Sequence, residues 1–219
     1  MIYTQLSQVT TPAAVAALVD LPTVKTDLGI TETATDAWLN LTINRVSSSI
    51  TNYCNRTFPV QSYQDTFRPD RTRNPMGDPL LYSSSAPSYA VIQMAAWPTV
   101  SIASVNENYL LLDPSLYEND PVTGQLMRLD QYDNAYWWSM SKLVVDYTAG
   151  FATIPMDVQD AALRMVRKAW FARTRDPLIK HQSLPNLGDT EFWVSTGNAG
   201  NMPPDITDIL DNYRMPALL

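Results

Sequence analysis

Cysteine and histidine are almost missing from this chain of 219 residues, which has one of each, Cys54 and His181. A lone cysteine forms no internal disulfide, and one residue of each kind is too few for a zinc site. Charge is scarce too: 17% of residues are Asp, Glu, Lys or Arg, against about 25% in ordinary soluble proteins. Fifteen basic residues face twenty-two acidic ones, a formal charge of -7, which argues against general affinity for nucleic acid phosphates. None of the seven glycines precedes a lysine, and only Gly197 and Gly200 lie close together, so there is no phosphate-cradling loop. No apolar run approaches the roughly 18 residues of a membrane span. The best candidate, Tyr89 to Trp97, is broken by Gln93 and closed by Pro98. The opening MIYTQLSQ has neither a basic nor an apolar region, so no secretion signal is expected and a reducing compartment is. No internal repeat is present.

What is present is a 45% apolar chain, long enough to bury about 70% of its unfolded surface without metal or disulfide. Met1 to Pro22 reads as an arm around the small apolar run Ala13 to Val19. Thr23 offers an N-cap for a short helix, Val24 to Leu28, stopped by Gly29. From Asp36 to about Cys54 a long helix is predicted, because Leu39, Ile43, Val46, Ile50 and Tyr53 recur at alternating spacings of four and three. Its other face is neutral, and Ser47, Ser48 and Ser49 are weak helix formers, so packing must hold it.

After Asn55 the period changes to two. Strands are expected at Gln61 to Phe67, Ala90 to Met94, Val100 to Val105, Tyr109 to Leu112, Gln125 to Leu129 and Lys142 to Tyr147. Asn106-Glu107-Asn108 and Asp113-Pro114 read as turns, while Arg68 to Ser88 and Asp130 to Ser141 are long enough to be functional loops. Pro155 opens a second long helix, Met156 to about Arg175, ended by Pro177. Its inward residues are Val158, Ala161, Ala162, Met165, Val166, Ala169 and Trp170. A Gly, Asn and Pro-rich stretch follows, then a short amphipathic helix from Pro204 to Arg214. The fold class is α+β: two long helices packed with a small antiparallel sheet, with an N-terminal arm (1–22), a core (23–176) and a C-terminal extension (177–219) ending in a short helix.

Catalysis finds no support. His181 is the only imidazole available as a base and no Gly-x-Ser-x-Gly accompanies it, so it reads as an ordinary exposed residue. Asp113, Glu118, Asn119 and Asp120 carry oxygen ligands, but the spacing lacks a calcium loop's alternation and central glycine, and solvated turn acids are the better account. Neither enzyme activity nor a cofactor is expected. A small hydrolase and a DNA-binding module are the alternatives from other classes.

Several motifs resemble one family when taken in order. Val24-Lys25-Thr26-Asp27-Leu28-Gly29-Ile30, the helix from Asp36, and its exit Thr51-Asn52-Tyr53-Cys54-Asn55-Arg56-Thr57-Phe58 resemble the opening of head-tail connector (adaptor) proteins of tailed bacteriophages and gene transfer agents. Trp97-Pro98-Thr99-Val100-Ser101-Ile102-Ala103-Ser104-Val105 is similar to the family's hydrophobic-Pro-Val-x-Ser-Val strand. Asp146-Tyr147-Thr148-Ala149-Gly150-Phe151, followed by Ile154-Pro155 and a helix, is similar to its Y-x-A-G-[YF] junction. Leu187-Gly188-Asp189 and the closing Pro203-Pro204 to Tyr213-Arg214 resemble longer members. Thr31 to Thr35, where the family often has an acidic run, and the Arg68 to Ser88 connection depart from the pattern.

The resemblance implies a structural virion protein of the neck, assembled in the host cytoplasm. It implies a homo-oligomeric ring, usually of 12 copies, under the portal protein, which extends the DNA channel and receives a stopper or tail-completion protein. A stopper or tail-completion protein is the runner-up, being usually smaller and more purely β. DNA would pass the lumen without specific binding, and the acidic balance would repel phosphate there or serve only for solubility. Three candidate surfaces follow. Ile206, Ile209, Leu210 and Tyr213, with Arg214 at the helix C-terminus, form an apolar stripe suited to portal docking or to packing back on the chain's own domain. Arg164, Arg167 and Lys168 form a basic patch for a neighbouring subunit or the portal, or a solvated helix face. Tyr136, Trp137 and Trp138 are interface anchors or belong to the subunit's own sheet.

Overall fold

The computed structural model describes residues 3–69, 91–139, 141–173, 181–184, 188–191 and 202–215. The fold is α+β, and its contacts separate two compact units: residues 1–14 with 59–152, and residues 15–58 with 153–217. This division differs from the sections 1–22, 23–176 and 177–219, because the chain enters the sheet, leaves it for helices, and returns.

The first unit is β. A five-stranded antiparallel sheet has the order β1-β2-β8-β4-β5, from β1 (Tyr3–Thr11), β2 (Gln61–Pro69), β8 (Leu143–Ala149), β4 (Thr99–Glu107) and β5 (Leu110–Leu111). A second sheet joins β3 (Val91–Gln93), β7 (Gln125–Arg128) and β6 (Tyr117–Asp120). Where one small sheet was expected there are therefore two in this unit alone, and β1 and β6 are strands that the period-two pattern does not reveal. The reason for β1 is physical: Tyr3, Leu6 and Val9 do not alternate, since the strand is held at the sheet edge by its ladder to β2 rather than by a buried side-chain row. Between the sheets lie Tyr63, Phe67, Met94, Val105, Leu126 and Tyr147 among others.

A buried polar knot ties this core together. Asp65 is fully buried, and its Oδ2 accepts hydrogen bonds from Gln5 Nε2 (3.1 Å), the Ala95 amide (2.7 Å) and the Tyr147 hydroxyl (2.9 Å). Tyr147 also accepts from the Ala96 amide at 3.1 Å and stacks on Tyr63, its cross-strand partner, with centroids 5.5 Å apart. Burial first, and then the Asp65 charge, push the Tyr147 phenol far above its ordinary value. Gly150 closes the same segment. At φ +128° a side chain is strained, and a Cβ would lie 2.6 Å from the Pro59 carbonyl oxygen, so the glycine of the junction motif is a steric necessity.

The second unit is helical, with α1 (Leu21–Leu28), α2 (Asp36–Cys54), α3 (Met156–Ala172) and α4 (Pro204–Leu210), plus a hairpin of β9 (His181–Leu184) and β10 (Gly188–Glu191). Asp20, not Thr23, caps α1: its carboxylate accepts from the Thr23 amide at 3.0 Å, and Pro22 can then occupy the first turn. Gly29 ends it at φ +67°. On α2, Leu39, Ile43, Val46 and Ile50 are buried as expected, while Tyr53 is half-buried. The neutral face is less idle than its composition suggests, for Ser47 is buried and its Oγ accepts from the Leu18 amide at 3.0 Å. On α3, Val158, Ala161, Ala162 and Val166 are buried, with Met165, Ala169 and Trp170 half-buried. Trp38 of α2 meets Trp170 of α3 edge to face at 5.8 Å.

Candidate interaction surfaces

The basic residues of α3 have partners in their own unit. Arg164 binds Asp160 one turn earlier (2.8 Å) and approaches Asp205 of α4 (3.8 Å). Arg167 pairs with Asp27 of α1, which raises its pKa chiefly through that hydrogen bond. Lys168 is half-buried on the same helix. For Arg164 and Arg167 neither a free patch nor a merely solvated face describes the geometry, because acids of α1, α3 and α4 already stand opposite them.

The C-terminal stripe requires a correction. Ile206 and Leu210 are buried, α4 packs on α3 and α2, and the stripe is therefore core of its own unit rather than a free face. Ile209 and Tyr213 are half-buried and Arg214 is exposed. A helix of seven residues is unstable alone in water, and here the exit of α2 supplies the dock. Cys54 Sγ donates to the Leu210 carbonyl at 3.7 Å, and the Cys54 carbonyl accepts from the Met215 amide at 2.8 Å. Arg56 donates to the Tyr213 carbonyl (3.3 Å), Tyr53 to Asp211 (2.7 Å) and Tyr213 to Asp157 of α3 (3.2 Å). Phe58 meets the Tyr213 ring edge to face at 6.0 Å, and the Arg214 guanidinium sits over Tyr53 at 5.3 Å. The Y-x-x-R-x-F exit thus has a structural reading: Tyr53, Arg56 and Phe58 each hold the segment 211–214. Burial pushes the Cys54 thiol up to about 11.

The loop from Asp130 to Ser141 divides. Trp138 is buried with Leu126, Leu143 and Val145, which corrects its expected place as an interface anchor. Tyr136 and Trp137 are exposed. Two residues not singled out in the sequence set this arrangement, Glu107 at the end of β4 and Arg128 at the end of β7. Arg128 Nε donates to Glu107 Oε2 at 3.2 Å and its Nη1 to the carbonyls of Leu116 (2.9 Å) and Leu129. Glu107 Oε1 accepts from the Ser139 amide at 2.6 Å, and the guanidinium lies 5.9 Å from the Tyr136 ring centre. Their signal in sequence was faint: a charged residue at the end of each of two otherwise neutral strands. Most of the Arg68 to Ser88 loop lies outside the described residues, as does the Gly197 to Gly200 stretch.

Sequence reasoning missed two apolar features of the first unit. Asn108 and Tyr109, both with positive φ, make the two-residue turn between β4 and β5, one residue beyond the expected position. That tip holds Tyr109, Leu110 and Leu111 at 80%, 71% and 72% exposure, steadied by Lys142 over the Tyr109 ring at 5.6 Å. At the opposite end of the sheet, β1 shows Leu6 and Val9 to solvent.

The turn acids behave as solvated caps. Asp113 accepts from Ser115, and Asp120 from Val122 and Thr123, bonds that lower both pKa values. Among the described residues no group of three His, Cys, Asp or Glu side chains could hold a metal ion, and no helix is long and apolar enough to cross a membrane.

The model of the head completion protein family matches residues 17–216, so the chain belongs to that family. Its fold is similar to that of a chain in the neck of an empty gene transfer agent particle, with TM-score 0.56 and 11% identity over 98% of this chain and 97% of that one. A chain in the virion of a native gene transfer agent particle gives TM-score 0.56 and 12% identity over the same shares. A chain in the neck of a native particle computed with C12 symmetry gives 0.51 and 11%, again over 98% and 97%. At such identities the likeness is one of fold. No curated protein matches the sequence.

Proposed function

We propose that the chain is a structural, non-enzymatic protein of the virion neck, a head-tail adaptor that forms a ring of 12 copies beneath the portal protein, extends the DNA channel and receives a stopper or tail-completion protein. The observation that carries the reading is the match to the head completion family over nearly the whole chain, residues 17–216. Two further features support it. Exposed apolar side chains are concentrated on the β unit, at Leu6, Tyr109 to Leu111 and Tyr136 to Trp137, as in a subunit completed by neighbours. The net charge of -7 suits a wall past which DNA moves without adhering.

Portal contact by the C-terminal segment belongs to the same proposal in a changed form. With Ile206 and Leu210 buried, the exposed charged residues are Asp205, Asp208, Asp211 and Arg214, and a charged portal surface replaces an apolar groove as the expected partner. The test is complementation. DNA-filled, portal-bearing heads made without this protein should leak DNA and accept no tails, and the purified chain added back should restore particles with a ring between head and tail. Heads that take up tails equally well without it would sink the reading.

A further inference from the structure

The five-stranded sheet ends in two open edges that match one another. β1 is nine residues long, Tyr-Thr-Gln-Leu-Ser-Gln-Val-Thr-Thr, and among the described residues it pairs only with β2. It carries neither charge nor proline, two of the devices by which edge strands are kept from pairing with other chains, and its ladder to β2 is regular from Tyr3 to Val9, with a register shift only between Val9 and Thr11. At the other end β5 pairs with Asn106 and Glu107 of β4, and the Leu112 amide donates to the Val105 carbonyl at 2.8 Å. In the preceding stretch Val100–Ser104, Ser101, Ile102 and Ser104 pair with β8 on one side, with register shifts at Thr99/Ser101 and Ile102/Ser104, and among the described residues no strand pairs on the other. This stretch too is free of charge, and Val100, Ser101 and Ala103 are exposed.

We infer that these edges join copies of this chain: β1 of one subunit adds to the Val100–Ser104 edge of β4 in the next, so that the sheet continues from copy to copy. Three lines of geometry and charge select a second copy as the occupant. First, β1 and β4 are separated by three antiparallel pairings, β1 with β2, β2 with β8 and β8 with β4, so they run in opposite directions. A neighbour placed by a modest rotation keeps its strand sense, and its β1 arrives antiparallel to β4, the more favourable ladder. Second, the two edges are different surfaces of one molecule, so the contact is head to tail, the kind that closes rings rather than pairs. Third, copies of a chain of charge -7 repel one another, and both edge segments are neutral, so the contact brings no like charges together. The exposed Tyr109, Leu110 and Leu111 lie next to the β4 edge and would be covered by the incoming strand's subunit. This contact rests on the ring of the proposed function and names the surface that builds it.

Cysteine pairing across the contact tests it, and the chain is suited to the method because its own Cys54 is fully buried. Leu6 shares a sheet face with Ser101 and Ser104, since its cross-strand row runs through Thr66 and Val144 to Asn106, on the side of Asp146 and Thr148. The variants Leu6→Cys and Ser101→Cys or Ser104→Cys are mixed, assembled on DNA-filled heads lacking this protein, and oxidised. Disulfide-linked pairs should form between the two variants and not with either alone, and a chain with both changes should give a ladder of higher species. A second pair of changes, Leu6→Lys with Gln8→Lys, places charge on exposed positions and should weaken self-association at least tenfold while the monomer melts as before. Rings that assemble with no cross-link from either serine position, or that survive the lysine variant, overturn the edge pairing and leave the ring intact. Linked pairs from Leu6→Cys alone would mean a two-fold β1 contact and overturn it as well. If the unmodified chain binds the heads in single copies, the ring reading itself fails.

Discussion

The two units differ in how completely each satisfies itself. The helical unit pairs its charges internally, Lys25 with Asp36, Arg167 with Asp27 and Arg164 with Asp160, and ties its C-terminal end to α2 with hydrogen bonds at Cys54, Arg56 and Tyr53. The β unit buries a dense core around Tyr147 and Asp65, yet leaves a neutral nine-residue edge, an apolar hairpin tip and two loop aromatics in solvent. The helical unit leaves Val15, Leu41, Met156 and Phe171 exposed as well, but most of the exposed large apolar side chains among the described residues are on the β unit. The contrast bears on the proposed contacts: the apolar stripe and the basic helix face that look sticky in sequence are engaged within their own unit, while the sheet edges are the surfaces proposed to join copies.

The contrast can be broken most severely in the helical unit. Leu210→Ala removes a fully buried side chain and should cost about 2 to 5 kcal/mol in denaturant unfolding, as should Leu39→Ala. A Leu210→Ala variant with unchanged stability would return the C-terminal helix to the role of a free arm. In the β unit Glu107→Ala should cost about 2 to 3 kcal/mol, because it leaves Arg128 and the Ser139 amide without their carboxylate in a largely buried place. It should also raise the solvent exposure of Trp138, visible as a red-shifted emission.

Alkaline pH sharpens the comparison more gently. The folded-state thiol of Cys54 is raised to about 11 from 9.0, so the native state holds its proton longer than the unfolded chain does. The stability this confers is complete below about pH 9 and is lost as pH rises toward 11. Cys54→Ala should flatten that part of the stability profile, and the native thiol should resist aromatic disulfide reagents at pH 8 until the protein unfolds. The smallest effect on folding belongs to the hairpin tip. Replacing Tyr109, Leu110 and Leu111 by serine should move stability by no more than about 0.5 kcal/mol, since all three are exposed, while impairing assembly on heads. A large loss of stability with intact assembly would reverse the assignment of core and contact.

The helices were legible because their pattern is local. Leu39, Ile43, Val46 and Ile50 recur at the helical period, Gly29 supplies the left-handed stop, and Pro155 sits directly before the first turn of α3, so the chain declares these elements wherever they pack. The central strands declared themselves in the same way, as at β8, whose alternate residues from Leu143 to Ala149 are buried. The ordered motifs also sufficed to name the family. An edge strand has no such signature, because its stability comes from backbone bonds to a partner 50 or more residues away, as in the pairing of Gln5 with Phe67. Nor can a stripe of apolar residues say what covers it. Ile206 and Leu210 would look the same on a docking arm, and only the path of the chain, which brings Met215 back to the Cys54 carbonyl, decides that their partner is their own domain. Periodicity is a property of neighbours along the chain, whereas which face meets which is fixed by closure of contacts far apart in sequence; this is why the elements and the family were written in the sequence and the burial of each face was decided by the tertiary fold.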